Sequence, residues 1–365
     1  MKTTSPVTTI IAAIGATLIT LGTNWKLAGF ILIVIIGIIF PLISTGVFVF
    51  QITQLLIYAI AIAGLNLLTG FNGQFSLGHS AFYAIGAYVA AILMMHFDVP
   101  YYWTIPAAAA ACFVFGFLFG LPALRLEGIY LALATFALAI ATPQILKFKP
   151  IEHLTGGVQG LAIFHLKPEA PFGIPIDSDQ WTFYFTFAVT ILMFFCAFSL
   201  VNSRTGRAMK AIRDNQIAAK VTGINLSLFK SLTFGVSALF TGVAGALSAL
   251  LIAFVAPDSF QITLAVAIFV GMVVGGVGWI PGAFLGALFI LFVPNIAEHI
   301  AFGMAAFFDL IRKVIPFFPT IGEQSAKGLT GTVYGVFLIL LIYVMPSGAA
   351  GLLRLVAQRL ARARS

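Results

Sequence analysis

Charge is what this sequence has least of. Only 8% of its 365 residues are Asp, Glu, Lys or Arg, Asp and Glu together number 11, and 61% of positions are hydrophobic. With a mean hydropathy of +1.09, such a chain cannot cover itself with a water-compatible surface, which excludes a soluble domain and assigns it to a bilayer. No charged residue occurs from Leu27 to Phe97, and only Asp258 from Ser231 to Ala297. Each stretch is long enough for more than two helical crossings at ~20 residues apiece. Cysteine is equally sparse. Cys112 and Cys196 both fall in apolar segments, where a thiol is simplest as a packing residue, so they say nothing about redox compartment.

Catalytic signatures are missing as well. "GEQSAKGLT", Gly322 to Thr330, has its Lys and Gly in the wrong order for a phosphate-binding P-loop. "GVGWIPG" misses the dinucleotide-binding spacing by one residue and sits among apolar spans. His79, His96, His153, His165 and His299 show no metal-ligand spacing. A chain of this kind is expected to be no enzyme and to bind no cofactor itself.

What is present is a series of apolar segments: Val7 to Leu21, Leu27 to Ile43, Val47 to Leu68, Ala81 to Met95, Trp103 to Leu121, Gly128 to Leu146, Trp181 to Val201, Leu232 to Val255, Ile262 to Val274, Pro281 to Ile296 and Leu329 to Met345. Some carry Gly or Pro or are short, so the expectation is an all-α polytopic membrane protein of nine to eleven transmembrane helices or half-helices. The N-terminal segment, residues 1–26, is signal-like, with Lys2 ahead of an apolar run, but lacks a small-x-small cleavage site before Trp25 and reads as a retained first span. Residues 27–350 form the membrane domain, and 351–365 a basic tail. Polar regions fall at Lys147 to Gln180, Asn202 to Lys230 and Ala297 to Gly328.

Orientation follows from the cations. The 202–230 loop carries Arg204, Arg207, Lys210, Arg213, Lys220 and Lys230 against Asp214 alone, and the tail adds Arg354, Arg359, Arg362 and Arg364. Both are expected in the cytoplasm, which leaves Lys147 to Gln180 outside. This bias explains the net charge of +8 without nucleic acid.

Two polar features stand out. "GRAMKAIRDNQIAAKVTGIN" projects as one helix from Gly206 to a stop at Gly223, with Ala208, Ala211, Ile212, Ala218 and Ala219 on one side and Arg207, Lys210, Arg213 and Lys220 on the other. A small apolar face flanked by cations suits docking of another protein, and equally an amphipathic helix lying on anionic lipid. The second is "GFNGQFSLGHSAFYAIGAYVA", Gly70 to Ala90. Glycines there let the backbone leave helical geometry, and Asn72, Gln74, Ser76 and His79, with Gly78, can satisfy freed backbone groups or a ligand. Irregular backbone at membrane depth is tolerated only against protein or a water-filled path, so these residues are expected to line a translocation pathway, with the helix restarting near Ser80 offering its N-terminus to a carboxylate. A plain polar loop at the membrane surface is the simpler alternative. Glycines spaced four apart (Gly271 and Gly275, Gly278 and Gly282, Gly282 and Gly286) read as close helix contacts, one of which could meet a partner membrane subunit. "LTGGVQGL" is an anion nest or a tight turn, Asp258 a solvated residue at a span end, and Arg125 with Glu127 an interfacial pair.

"TGFNGQFSLGHSAFYAIGAYVAAIL", "RLEGIYLALATFALA", "LTGGVQGL", "NSRTGRAMKAIRDNQIAAKVTGIN", "KSLTFGVSALFTGVAGAL", "GGVGWIPGAFLGA" and "GTVYGVFLILLIYVMP" occur in that order from Val47 to Leu353. In that order they resemble successive blocks of the branched-chain amino acid ABC importer permeases of the LivM type. The resemblance implies an inner-membrane (plasma-membrane) subunit that works by alternating access beside a homologous LivH-type permease. It also implies two cytoplasmic ABC ATPases, which hold the ATP and Mg, and an extracytoplasmic substrate-binding protein delivering the amino acid substrate. It further implies that Gly206, Arg207, Ala208, Ala211, Ile212, Arg213, Asp214, Asn215, Ala218, Ala219 and Gly223 belong to an ATPase-coupling segment. Gln216 departs from the family pattern, where Glu is usual, and puts in doubt an ion pair from that position to the ATPase. Within the family a urea or short-chain amide permease is the alternative. An ion-coupled secondary transporter, from another class, needs intramembrane ionisable groups that are nearly absent here.

Overall fold

The computed structural model describes residues 25–44, 46–123, 128–164, 168, 170, 176–314, 323–344, 348–349 and 351. The expected first span Val7 to Leu21, the Arg125 and Glu127 pair and the tail arginines lie outside the described residues. The elements are α1 (Trp25–Ile43), α2 (Gly46–Leu65), α3 (His79–Phe97), α4 (Tyr101–Ala123), α5 (Ile129–Leu146), the single turn α6 (Glu152–Thr155), β1 (Leu161–Ala162) and α7 (Ser178–Asn202). They continue with α8 (Arg204–Asp214), α9 (Gln216–Val221), α10 (Leu226–Ile252), β2 (Phe254–Val255), α11 (Ile262–Gly275), α12 (Gly282–Val314) and α13 (Glu323–Val344). Among the described residues eight helices are long and apolar enough to cross a membrane, accompanied by two shorter apolar stretches, Leu32–Ile43 and Gly331–Leu340. The chain is an all-α polytopic membrane protein, as its composition required.

α10 is the centre of the bundle. Its most apolar window is 83% buried, with α2, α3 and α4 packed around it. Lipid is as apolar as leucine, so this burial is driven by close packing, and close packing demands small residues. A Cβ at Gly86 of α3 would overlap the Gly242 carbonyl of α10, one at Gly245 the Tyr83 carbonyl, and one at Gly242 the Cys112 side chain. The four-apart glycines behave likewise within the chain. Cβ atoms at Gly275 and Gly282 would each strike the other's carbonyl, and one at Gly286 the Gly271 carbonyl. These seams join α11 to α12 within the chain.

Two boundaries differ from expectation. α10 begins at Leu226, where Asn225 accepts from Leu228 N at 3.1 Å, and this takes Lys230 into the helix instead of the loop. α12 runs past Ala297 to Val314, through what reads as a polar region, and Pro294 does not end it. Ala297, Ala301 and Ala305 are buried at four-residue spacing while Ile296, Ile300 and Met304 are exposed, so the helical period outlasts the change in polarity.

The polar break after α2, the α8–α9 loop and the α11–α12 turn lie together at one end of the bundle. At the other end β1 pairs antiparallel with β2, Leu161 facing Val255, and Lys147 meets Asp258 at 2.6 Å. Asp258 is thus solvated but paired, an exposed contact of small energetic value. The "LTGGVQGL" stretch is a tight turn: Gly156 N donates to Glu152 O and Gln159 N to Gly156 O, and Gly157 N donates to Thr155 Oγ1. Those amides are not free to form an anion nest. α7 opens at the same end with a reciprocal cap: Asp177 accepts from Ser178 N, and Gln180 Oε1 accepts from Asp177 N at 3.3 Å. Asp177→Ala should therefore lower stability by about 1 kcal/mol. A thermal-unfolding midpoint in detergent identical to that of the unsubstituted chain would contradict this.

Candidate translocation and coupling site

The basic loop is two helices at an angle. Ser203 starts α8, its Oγ accepting from Gly206 N at 3.3 Å. A Cβ at Gly206 would overlap the Leu200 and Val201 carbonyls, so glycine lets α8 turn off the end of α7. The single helix expected from Gly206 to Gly223 breaks at Asn215, which is extended (φ −159°, ψ 110°) and caps α9 by accepting from Ala218 N. Asn competes with the helix through its own side chain, and at this position the cap prevails. Gly223, at φ 86°, does end the segment.

The break also redistributes the faces. Gly206, Ala208, Met209 and Ile212 of α8 and Ala219 of α9 are packed into this chain's own body. Ala211 is half-buried, while Arg207, Arg213, Asp214, Asn215, Ala218 and Lys220 are exposed. The alanine face is therefore divided, and most of it is internal. The apolar surface open to a partner is instead Ile217, 78% exposed, and Val221, 83% exposed, one helical turn apart on α9 beside Ala218. The projection missed them because it carried one helical phase through Asn215. Gln216 is half-buried and accepts from Lys230 Nζ at 2.7 Å.

The polar break lies directly against this loop. α2 ends in a π-helical turn, Asn66–Phe71, and Gly73 takes φ 74°. Arg213 Nη1 donates to Gly70 O at 3.0 Å, and Lys210 Nζ stands 5.7 Å from the Phe71 ring centroid, within cation–π range. All four polar residues of the break, Asn72, Gln74, Ser76 and His79, are buried, but they divide into two kinds. Ser76 and His79 belong to an internal chain. Ser76 Oγ lies 3.2 Å from His79 Nδ1, His79 Nε2 lies 2.7 Å from Ser237 Oγ, and Ser237 Oγ donates to Gly64 O at 2.6 Å. Since the Ser237 proton is committed to Gly64, the consistent assignment has Nε2–H donating to Ser237 and the Ser76 hydroxyl donating to Nδ1. Every group then has a partner, and the chain ties α2, α3 and α10 together. Leu77 N donates to Thr135 Oγ1 at 2.9 Å, and Gly78 approaches the Thr135 carbonyl too closely for a side chain.

Asn72 and Gln74 differ. Both carboxamide atoms of Asn72 and the Oε1 of Gln74 are buried without a hydrogen-bond partner among the described residues. Such groups carry a desolvation penalty unless water or a ligand meets them, and Ser80, Tyr88, Thr186 and Ser231 share the condition. Beside the break lies a cavity of about 370 Å³ lined by Phe75, Ser76, Leu77, Gly128, Ile129, Ala132 and Phe269. Its walls, apart from Ser76, are apolar, and its size suits a small molecule.

A family model described as "Branched-chain amino acid transport system / permease component" matches residues 47–345. Curated relatives include the high-affinity branched-chain amino acid transport system permease protein LivM of Salmonella typhimurium, 32% identical over 267 residues, 67% of this chain and 62% of that protein. The LivM of Escherichia coli is 33% identical over 247 residues, 62% of this chain and 58% of that protein. LivH of Salmonella typhimurium is 26% identical over 314 residues, 80% of this chain and 91% of that protein. The match therefore spans about three-fifths of the length of the two LivM relatives. No solved structure matches.

Proposed function

This chain belongs to the branched-chain amino acid transport permease family, and we propose that it is the membrane-embedded subunit of an ATP-driven importer of small apolar amino acids. The α8–α9 loop and the basic tail face the cytoplasm, where cations are retained, and the β1–β2 ribbon faces outward. Two cytoplasmic ABC ATPases, which hold ATP and Mg, grip the loop. A homologous LivH-type permease completes the path, and an extracytoplasmic binding protein supplies substrate. Similarity of this one chain to both LivM and LivH proteins supports a pair of permeases of common fold.

The observation that carries the reading is the contact between loop and break: Arg213 of α8 holds the Gly70 carbonyl directly before Asn72 and Gln74. Movement of the loop is thereby felt at the break, where Asn72 and Gln74 precede the Phe75–Leu77 stretch that lines the apolar cavity. In this reading Ile217, Ala218 and Val221, with Arg207, Arg213, Asp214, Asn215 and Lys220 around them, form the ATPase-facing surface. The buried Gly206, Ala208, Ala219 and Ile212, with Ala211 and Gly223, set its shape. Asn72 and Gln74 meet the passing substrate, and Ser76, Gly78 and His79 hold the break in position. Neutral groups suffice, because a conduit must release what it admits.

The test is reconstitution. Vesicles carrying this permease with its partner permease and ATPases should take up leucine, isoleucine or valine only when ATP and the binding protein are both supplied. Uptake by this chain alone, driven by an ion gradient, would overturn the importer reading in favour of a secondary carrier.

A further inference from the structure

Three chain segments converge on one guanidinium. Arg213 donates through Nη1 to Gly70 O at 3.0 Å. A Cβ at Gly73 would stand 3.1 Å from Arg213 Cγ, and one at Gly278 3.5 Å from Nη1. Lys210, one turn earlier on α8, faces the Phe71 ring. α8 therefore holds the end of α2 by two cations, where the last carbonyls of a helix carry partial negative charge.

The end of α2 in turn holds the α11–α12 turn. Asn66, 1% exposed, accepts from Gly278 N at 2.8 Å and donates to Trp279 O at 3.0 Å and Gly276 O at 3.3 Å. One carboxamide thus satisfies three backbone groups of a turn whose Gly276 and Gly278 both have positive φ. Buried backbone groups in an irregular turn need such a partner, and here the π-helical turn that ends α2 supplies it. α11 and α12 are locked together by the Gly271, Gly275, Gly282 and Gly286 seam, so displacement of their turn is transmitted along both. α11 also contributes Phe269 to the cavity wall.

We infer that Arg213 and Asn66 are positioning residues forming a relay, through which displacement of α8 moves the end of α2 and the Gly276–Trp279 turn as one body and so reshapes the cavity. The inference rests on the reading that α8 and α9 face the ATPases. The π-helical turn between the two residues fits this role, since such turns are local register defects found at functional sites.

The test uses the assembled importer with spin labels at the exposed positions Arg204 and Val277, and at Val158 at the opposite end as reference. On ATP binding, the distance from Arg204 to Val277 should stay constant while both distances to Val158 change. Asn66→Ala should release Val277 from this common motion and reduce uptake by about tenfold while ATP hydrolysis stays within about twofold, the size of a typical coupling energy. Asn66→Asp, which keeps the acceptor for Gly278 N and loses the donor, should do the same in milder form. Independent movement of Arg204 and Val277 in the unsubstituted importer overturns the relay even if neither variant folds. A parallel fall of uptake and hydrolysis, or unchanged uptake, in Asn66→Ala also overturns it. An unsubstituted permease that retains no ATPase overturns the importer reading and the relay with it, whereas a retained ATPase with independent motion overturns the relay alone.

Discussion

In the proposed importer, aspartate at both Ile217 and Val221 should strip the ATPases from the purified complex and leave the permease itself folded. Both side chains are largely exposed, so the bundle loses no packing when they change, and surface substitutions of this kind shift stability by no more than about 0.5 kcal/mol. At an interface the effect is of another order. Burying a large aliphatic side chain contributes about 1.5–3 kcal/mol, and two carboxylates forced into its place add desolvation. Together these correspond to a loss of affinity of roughly a hundredfold or more. Co-purification of the ATPases with the double variant would exclude Ile217 and Val221 as the contact. Ala208→Asp provides the contrast. Ala208 is packed inward, so its substitution should reduce the yield of folded permease rather than detach a partner from it.

Gly86→Leu is expected to abolish the folded state. The added side chain meets backbone, the Gly242 carbonyl of α10, and backbone cannot turn aside as a flexible side chain can. Overpacking a well-packed core costs about 1–3 kcal/mol even where side chains give way, and here an entire helix must move. Against a total stability of order 5–15 kcal/mol, and with α10 contacting α2, α3 and α4, loss of the monodisperse species on size-exclusion chromatography is the expected readout. Gly303→Leu is the control, because a Cβ there meets nothing within 4 Å. A monodisperse Gly86→Leu permease with an unchanged melting midpoint would show that α3 and α10 do not approach as described.

The membrane class and nearly every span were legible because lipid enforces a simple rule: about 20 apolar residues, few charges, every backbone group satisfied internally. The exceptions are instructive. The interval Asn202 to Lys230 reads as loop because cations crowd it, yet Lys230 is buried in α10 against Gln216, a pairing made by folding and not by spacing. Asn is a preferred N-cap residue, and the cap at Asn215 resets the helical phase so that Ile217 and Val221 face outward. The break at Gly70 to Ser80 was legible as a break. That Ser76 and His79 turn inward depends on Ser237 of α10, a contact across 158 positions that no local pattern encodes. Asn66 sits inside an apolar run, and its partners, Gly276, Gly278 and Trp279, are equally remote in sequence.

The central place of α10 has a consequence for biogenesis. Its principal neighbours, α2, α3 and α4, precede it in the chain, so during synthesis from the N-terminus they enter the bilayer well before it is made. Until Leu226–Ile252 has emerged from the ribosome and inserted, the glycine notch at Gly86 and the Nε2 of His79 lack the partners that α10 supplies. Assembly must therefore be completed late, by a helix threading into a space its predecessors have kept open, and a ribosome stalled before Ile252 should leave a nascent permease marked for quality-control proteolysis.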